Sequence, residues 1–452
     1  MLTTNTNFDS YHSNQYKQPL YLLSFDGVSA RFVNHKTADG ANASQLELIQ
    51  KISGHNATID PEKGQSSIGG INVSLLNRGN EITALIASDP YQWDRKKVTV
   101  KAGYVGMDEA DLLTIATYWV SSIKMKSKNL IYEIGLSDPQ KWMQRYIFRE
   151  ASEASPVLIT GNPINIMLSV LMSSGTVGAN GTHDYLAASN GLGLESDAVS
   201  VATLEAIRDN YYPGDSHYMR FSITEKQKAK DFIEKQICQV LSAYPAIDGQ
   251  GRFFIIPFRA PINTSGVAIQ TFDDDSIIDM PEWDLNLSAK INEVYFEIDA
   301  NNDDYAEHDY IDSDSINARG PGSAPLKIKS DGLRTSNNPA SITARGLDII
   351  SRRKEAIFAR WSNPPPVKLR FKTFFSKWLA EAGDIISVSH SKVPDLDSGL
   401  MGITDRQMEI VSRSIDWDAG AVKIECLDTG FKKLPFAAIG NTATIGNFYI
   451  SP

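Results

Sequence analysis

The feature that most constrains the fold is the alternation of apolar and polar side chains between positions 57 and 148. A strand with one buried face repeats every second residue, whereas a helix repeats every 3.6 residues. Turn-forming residues separate the alternating segments, with Asn and Gly at 77–80 and Lys, Ser and Asn at 126–129. We therefore predict an antiparallel β unit. Its strands are predicted at 71–77, 97–104, 117–125 and 130–136.

Residues 108–123 fit two patterns. Leu112, Ile115, Trp119 and Ile123 recur at helical spacing, yet the residues after Thr117 also alternate as in a strand. We predict a short helical turn over 108–113 and a strand after it. A continuous helix to Ile123 would contradict this prediction and weaken the β unit.

Two further strands are predicted at 21–25 and 30–33, joined by the turn signal Asp26-Gly27. With the strands above they give about six, enough for a barrel or sandwich. We assign residues 1–155 to this first domain. A helix is predicted to start at its end, where Pro139 follows Ser137 and Asp138, with Trp142, Met143 and Tyr146 on its apolar side.

The middle of the chain predicts an α+β domain over residues 156–262. Asn162-Pro163 begins an almost wholly apolar helix at 164–172, and 201–210 is amphipathic. Ser222 and Glu225 fit a capping box for a helix that packs on a strand at 252–257. A Gly-, Ser- and Thr-rich loop is predicted at 173–190. The helix would present Phe232, Ile233, Ile237, Val240, Leu241 and Tyr244.

The last third begins with a strand at 291–298. Residues 299–338 are rich in Asp, Asn, Ser and Gly, which predicts a long excursion that is mobile alone or becomes ordered against a partner. Residues 263–338 thus link the α+β domain to the next one. A helix over 339–360 ends at three successive prolines. Residues 339–433 are then predicted to form a second β-rich domain, with strands at 367–371, 383–388, 408–415 and 422–427. Residues 434–452 are predicted to form a tail.

Length and charge narrow the classes of function. A chain of 452 residues exceeds what one core usually serves, so two to four domains are expected. The net charge is −10 with no dense basic segment, which argues against an adhesive nucleic-acid binder. No apolar run reaches the roughly 18 residues of a membrane span, and the first nine residues lack the features of a secretory signal. Cys238 and Cys426 lie in apolar surroundings, so buried thiols are favoured over a disulfide or a metal pair.

Three polar motifs invite a catalytic or metal-binding interpretation. Ser216 and His217, in Gly214-Asp215-Ser216-His217, lack the strand-to-helix elbow of a serine hydrolase, so a polar turn is favoured. The spacing of Asp299, Asn301 and Asp303 begins a calcium loop, but Asp304 and Tyr310 stand where Gly and Glu are needed. The acidic run 273–275 could hold a hard cation, although a solvated turn is favoured.

Other residue types also give no site. His55, His183, His217, His308 and His390 show no zinc-ligand spacing, and Gly191-Leu192-Gly193-Leu194 has no strand ahead of it to form a phosphate loop. We predict no enzyme activity, no catalytic or metal-binding residue and no cofactor. Tryptophans can stack on sugars but are favoured here as core or interface anchors: Trp93, Trp119, Trp283, Trp361 and Trp378.

Several of these segments, taken in order, resemble the tail-hub proteins of tailed bacteriophages. The resemblance covers about residues 21–428, and each motif alone is weak. It departs from the family at 299–338 and in the polar tail. The matching motifs are Val98-x-Val100-x-x-Gly103-Tyr104-x-Gly106, Ile291-Asn292-Glu293-Val294, Gly383-Asp384-Ile385-Ile386, and Arg413-Ser414-Ile415-Asp416 followed by Val422-Lys423-Ile424.

This resemblance implies a β-rich α+β fold with two tail-tube-like β-barrel domains and smaller α+β domains. It implies a structural virion protein, a homotrimeric tail or baseplate hub whose three copies present six barrels as a ring. Its partners would be the tail tube, distal tail, tape measure and spike or fibre proteins. DNA would pass without sequence-specific binding, and an acidic wall would repel phosphate. The location would be the virion tail tip, after assembly in the host cytoplasm.

Two other functions remain open at this stage. A receptor- or carbohydrate-binding tail module would show exposed aromatic shelves on a concave face. A cell-wall hydrolase would lose its activity on Ser216→Ala or His217→Ala.

Overall fold

The computed structural model describes residues 6–12, 18–39, 43–53, 55–60, 63–67, 69–126, 130–175, 186–187, 189–213, 219–248, 250–257, 268–285, 287–299, 305–322, 324–334, 340–362, 366–416 and 420–428. The strands of the first part are β1 (Pro19–Phe25), β2 (Arg31–Val33), β3 (Gln45–Glu47), β4 (Ile49–Ile52), β5 (His55–Asp60), β6 (Gln65–Ser66), β7 (Gly70–Leu76), β8 (Lys97–Tyr104), β9 (Leu113–Lys126), β10 (Ile131–Ser137), β11 (Tyr146–Ile147), β12 (Val157–Gly161), β13 (Met219–Ile223), β14 (Gln227–Lys228), β15 (Ala243–Ile247) and β16 (Phe253–Pro257). The later strands are β17 (Thr271–Phe272), β18 (Glu282–Leu285), β19 (Glu293–Asp299), β20 (Tyr305–Ile311), β21 (Leu326–Arg334), β22 (Val367–Phe374), β23 (Ile385–Asp395), β24 (Leu400–Asp416) and β25 (Ala421–Asp428).

The helices are fewer than the strands among these residues, and none of those described is long and apolar enough to cross a membrane. The α-helices are α1 (Thr6–His12), α2 (Glu81–Ser88), α3 (Pro163–Met172), α4 (Val201–Tyr211), α5 (Ala229–Asp231), α6 (Gln239–Leu241), α7 (Ser313–Arg319) and α8 (Ala340–Trp361). A π-helical stretch, Phe232–Cys238, joins α5 to α6. Short 3-10 helices lie at Arg78–Asn80, Pro90–Trp93, Glu109–Asp111, Pro139–Gln144, Leu287–Ala289 and Phe375–Lys377.

Most predicted elements are confirmed. Residues 108–123, which fit both a helical and a strand pattern, contain a short 3-10 turn, Glu109–Asp111, followed by β9, as predicted. Helix α3 begins as expected, because the side chain of Asn162 accepts a hydrogen bond from the Ile164 N–H at 3.0 Å. The predicted helices over 201–210 and 339–360 are α4 and α8. The predicted loop at 173–190 lies largely outside the described residues.

Three local predictions are wrong. Ser222 lies in β13, paired with Leu158 of β12, so it caps nothing and the helix begins only at Ala229. The helix predicted to start at Pro139 does begin there, with Asp138 as its N-cap, but it is a 3-10 helix that ends at Gln144, so the placing of Tyr146 on its apolar side is wrong and Tyr146 lies in β11. The excursion over 299–338 contains β20, α7 and β21, and these two strands flank β19 in a three-stranded sheet. The few apolar residues of this segment are enough to order it in the sheet, because Ile328 and Leu333 are buried.

The two large sheets repeat one topology. The first has the order β3-β2-β1-β8-β9-β10-β7-β4, and the second contains β17-β23-β24-β25-β22-β18. We define the first six-stranded unit as β1, β4, β7, β8, β9 and β10, and the second six-stranded unit as β17, β18, β22, β23, β24 and β25. Numbered along the chain, both units have the spatial order 1-4-5-6-3-2. One pairing differs, because β1 is antiparallel to β8 whereas β17 is parallel to β23.

The repeat extends to irregularities of the strands. The longest strands, β9 and β24, occupy equivalent positions. In β9 the register shifts past Ser121, and in β24 it shifts past Val411, each time against the last strand of the unit. A bulge adds one residue on one strand and increases the local twist. The two units therefore bend at matching places.

The predicted closed barrels are not confirmed. Neither sheet forms a closed ring of paired strands within the described residues. In the first sheet, the end strands β3 and β4 are separated only by Leu48. One segment of chain therefore supplies both ends of the strand order.

The sheets and the α+β elements form two cores. The inner faces of both large sheets share one apolar core, which reaches from Phe8 to Cys426. A second core joins α3, the helical segment from α5 to α6, and the sheet around β19. The division into domains at the predicted boundaries stays a prediction, because chain segments cross between these bodies.

Candidate functional site

The junction between the two large sheets is built by β5. This strand follows the first strands of the chain, yet it pairs antiparallel with β24 of the second sheet. Thr58 Oγ1 and Ser412 Oγ lie 3.0 Å apart across this pairing. A cavity of about 70 Å³ lies behind it, lined by residues of β5, β9, β15 and β24 together with Asp138, Gln140 and Glu381. The junction is therefore where three parts of the fold meet.

Asp138 is a buried carboxyl group in this cavity wall. It is 3% exposed. Its Oδ2 accepts a hydrogen bond from the Gly69 N–H at 2.5 Å, and its Oδ1 accepts one from the Gln140 N–H at 2.9 Å. Burial raises the pKa of Asp138 to about 7, and these hydrogen bonds oppose the rise. A shifted carboxyl can mark a catalytic acid, but both oxygens here are engaged by backbone amides, which indicates a structural role.

A buried basic side chain closes the cavity from the second sheet. Arg413 of β24 is 2% exposed. Its Nη1 donates to the carbonyl oxygens of Trp378 at 3.0 Å and Ala380 at 2.8 Å. Arg413 thereby fixes the segment between β22 and β23 against β24.

Next to the cavity, Lys230 joins the α+β elements to the strands. Its Nζ donates to the Ser66 carbonyl at 2.8 Å, to Gln140 Oε1 at 2.6 Å and to Glu234 Oε1 at 2.5 Å. Burial raises the pKa of Glu234, while Lys230 opposes that rise. Because the three acceptors of Lys230 come from three segments, this cluster fastens the junction rather than exposing a reactive group.

Close backbone approach completes the junction. Gly251, in the turn between β15 and β16, has a φ of +80°, and a Cβ there would meet the Thr117 side chain of β9 at 2.4 Å. Only glycine fits both the backbone angle and the spacing. The turn between β15 and β16 therefore seats directly on the first sheet.

The acidic run 273–275 forms a turn in which the carboxylates of Asp273 and Asp274 accept hydrogen bonds from backbone N–H groups. Asp273 Oδ1 accepts from the Ser276 N–H at 2.9 Å. Asp274 accepts from the Ser391 N–H at 3.1 Å and lies 3.2 Å from His390 Nε2. The hydrogen bonds to Ser276 and Ser391 lower the pKa of Asp273 and Asp274. Among the described residues, no group of three or more His, Cys, Asp or Glu could hold a metal ion.

Several predicted positions lie outside the described residues. These are Ser216, His217, His183, Asn301 and Asp303, and the side chains of Asp299 and His55 are also not described. His308 lies in β20 and His390 in β23, so the two are not brought together by one sheet. In the described loop 191–194, Leu192 and Leu194 are buried and their N–H groups bond to α3 carbonyls, which leaves no phosphate cradle there.

The tryptophans anchor cores. Trp93, Trp119, Trp361 and Trp378 are at most 6% exposed, and Trp283 is half-buried against the shared core. They therefore offer no exposed aromatic shelf for a sugar. Both cysteines are buried free thiols, as predicted, and they lie in different cores.

No sequence pattern indicates the junction itself. β5 spans His55–Asp60, where no strand is predicted from the sequence. Its pairing with β24 joins residues 354 positions apart, and no local pattern encodes such a partner.

Comparisons with known proteins give similarity at the level of solved structures only. No protein-family model matches the sequence, and no curated protein matches it. The 43 kDa tail protein of prophage MuSo2 from Shewanella oneidensis is 12% identical, with a TM-score of 0.45 over 91% of this chain and 99% of that one. A tail protein from Neisseria meningitidis is 10% identical, with a TM-score of 0.43 over 92% and 98%. Likeness at this level does not establish a shared function.

Proposed function

We propose that this chain is a structural protein of a bacteriophage tail. It acts as a tail or baseplate hub that assembles as a homotrimer and adapts the tail tube to the tail-tip spike or fibres. The ring encloses part of the channel through which DNA passes. The observation that carries the proposal is the duplicated six-stranded topology.

The duplication of the six-stranded unit supports a hub because a trimer of such chains can match both a six-fold and a three-fold symmetric partner. Three copies of a chain with two equivalent units offer six similar surfaces in a ring. Such a ring can join a six-fold tube on one side and a three-fold attachment on the other. Closed rings with one repeated contact are the usual form of soluble homo-oligomers.

The interlocked architecture supports a load-bearing role. β5 and the Lys230 cluster bind the units and the α+β elements into one body. Lys230 and Arg413 at the junction donate hydrogen bonds, and both carboxylate oxygens of Asp138 are held by backbone amides. A rigid adaptor needs such fixed connections, whereas an enzyme needs a free reactive group.

The net charge of −10 fits the channel of this proposal. An acidic wall repels the phosphate backbone, so DNA slides without adhering. A receptor-binding module is the other candidate, but the buried tryptophans do not favour it.

Location in the particle tests the proposed function. An epitope tag would be placed after residue 452 and the tagged phage imaged with gold-labelled antibody. We expect label at one end of the tail, between tube and fibres. Label along the tail tube, on the capsid, or none on complete particles would refute the hub assignment.

A further inference from the structure

We infer that neighbouring copies contact through two defined surfaces, the β7–β8 connection of one copy and the β23–β24 hairpin end of the next. This inference rests on the proposed trimeric ring. It goes further by naming the surfaces. The β7–β8 connection comprises residues 77–96, and the β23–β24 hairpin end comprises residues 392–401.

The argument begins with the contact between the two units inside one chain. Tyr104 ends β8, and its ring lies 6.2 Å from that of Phe375, which follows β22. Phe375 stacks on Trp378 with ring centroids 5.6 Å apart. Trp378 also packs on Phe8 of α1 at 6.0 Å. The connection between β22 and β23 of the second unit therefore packs on the β8 end of the first unit.

Because the two units share one topology, the contact between the β22–β23 connection and the end of β8 has an equivalent with the roles of the two units exchanged. β8 of the first unit corresponds to β23 of the second, and the β7–β8 connection corresponds to the one between β22 and β23. The equivalent contact would place a β7–β8 connection on the end of a β23 strand. Within one chain the first unit's connection does not make that contact, because its exposed residues remain open to solvent. A second copy can supply it.

Exposed apolar side chains lie at both surfaces. Tyr91 of the β7–β8 connection is 91% exposed, whereas Trp378 of the equivalent connection is completely buried. On the hairpin end, Leu400 is 70% exposed, Met401 64% and Leu396 45%. Clustered exposed apolar residues mark interaction sites more often than free surface. The hairpin end therefore offers a cluster of exposed apolar side chains, and the β7–β8 connection offers one exposed aromatic ring, that of Tyr91.

Charge does not oppose the contact. The β7–β8 connection has three basic and three acidic residues, so its formal charge is zero. The hairpin end has one lysine, Lys392, and two aspartates, Asp395 and Asp397. A weakly acidic surface therefore meets a neutral one, and like-charge repulsion is absent.

The contact is head-to-tail, since its two sides differ. Each copy carries one of each surface, so three copies close into a ring with three identical contacts. A substitution that disrupts either surface removes every contact when all copies carry it. When a copy with a disrupted first surface is mixed with a copy with a disrupted second surface, the two remaining intact surfaces can form one contact only.

Complementation of two surface variants tests this arrangement. Tyr91→Glu and Met401→Glu would be purified separately, and native mass spectrometry would measure their assemblies. We expect the wild-type chain to form trimers, each variant alone to be monomeric, and a one-to-one mixture to form heterodimers without trimers. Leu130→Glu, at a residue 63% exposed on another hairpin, serves as the control and should still form trimers.

A disulfide trap provides an independent measurement. A chain with Tyr91→Cys and Leu400→Cys should form disulfide-linked species of two and three copies on oxidation, because the proposed contact brings the two new thiols together. The native thiols are buried and should not contribute to the cross-link. Circular dichroism spectra of all variants should match that of the wild type, since the changed residues are exposed.

The outcomes separate this inference from the proposed function. Trimers that survive Tyr91→Glu and Met401→Glu, with no cross-link, would refute these surfaces while leaving gold label at the tail tip unaffected. A folded wild-type chain that stays monomeric and gives no cross-link would also overturn the inference. Label away from the tail tip would instead refute the function.

Discussion

Tyr244 of β15 donates its hydroxyl hydrogen to Glu409 of β24 across 2.6 Å, and both side chains are buried. Arg360 of α8 pairs with the other carboxylate oxygen of Glu409. Three elements that are remote in the sequence thus meet on one carboxylate. A buried charge is tolerated only when it is paired and hydrogen-bonded.

Glu409→Ala should lower the free energy of unfolding by about 3–5 kcal/mol, because it leaves the Arg360 charge buried without this partner. Urea unfolding at pH 7 would measure the loss. The control is Glu133→Ala, which removes a more exposed ion pair with Lys126 and should cost at most about 1 kcal/mol. Equal losses in the two variants would contradict the structural role of Glu409.

Asp138 should make stability depend on pH. Its pKa is raised by burial from 3.8 to about 7, so the folded state holds a proton that the unfolded state releases between these values. This contribution is therefore present at low pH and lost as the pH rises through about 7.

Asp138→Asn should remove that dependence. Between pH 4 and pH 8, the urea-unfolding free energy of the wild type should fall relative to the variant by a few kcal/mol. Comparing the two proteins cancels the titration of other groups. A constant difference across this range would show that Asp138 ionises normally.

Trp378→Ala should cost about 3–5 kcal/mol, since a fully buried indole between the two units leaves a cavity. Trp283→Ala, at a half-buried site, is the matched control and should cost less. Chemical unfolding would measure both. A loss at Trp378 no larger than at Trp283 would contradict the packing between the units.

Both cysteines should be unreactive in the native protein. Burial raises the pKa of the Cys238 and Cys426 thiols, so little reactive thiolate forms. Iodoacetamide labelling followed by peptide mass spectrometry should modify neither residue until urea unfolds the chain. Prompt modification of one cysteine in buffer would show local opening around it.

The sequence predicted elements well wherever one face of a segment is buried. Lys97 to Tyr104 alternates because β8 is packed on one side, and its strand was predicted within its observed bounds. The turn before β9 was also predicted, since Gly106 and Asp108 interrupt the alternation. The sequence indicates Asp138 only as the residue before a helix start and Arg413 only as part of the resemblance, because burial of a polar group leaves no pattern in the sequence.

The failures have physical causes. Ser222 and Glu225 match a capping box, but pairing of β13 with β12 overrides that local preference. The segment after Asp299 is too polar to order alone, yet β19 offers it two free strand edges. Helix α2 was missed because its eight residues bury only Ile82. Tertiary pairing decided the structure in the first two cases.

The pairing of β5 with β24 also orders events during synthesis. Thr58 leaves the ribosome long before Ser412, its neighbour in the sheet, which lies 354 residues later. At about 5–20 residues per second, the interval is roughly 20–70 seconds. During that time the part of β5 that will pair with β24 lacks that strand, and β-edges invite pairing with other chains. The junction thus forms only after Ser412 has emerged, so in the proposed assembly no copy joins a ring before then.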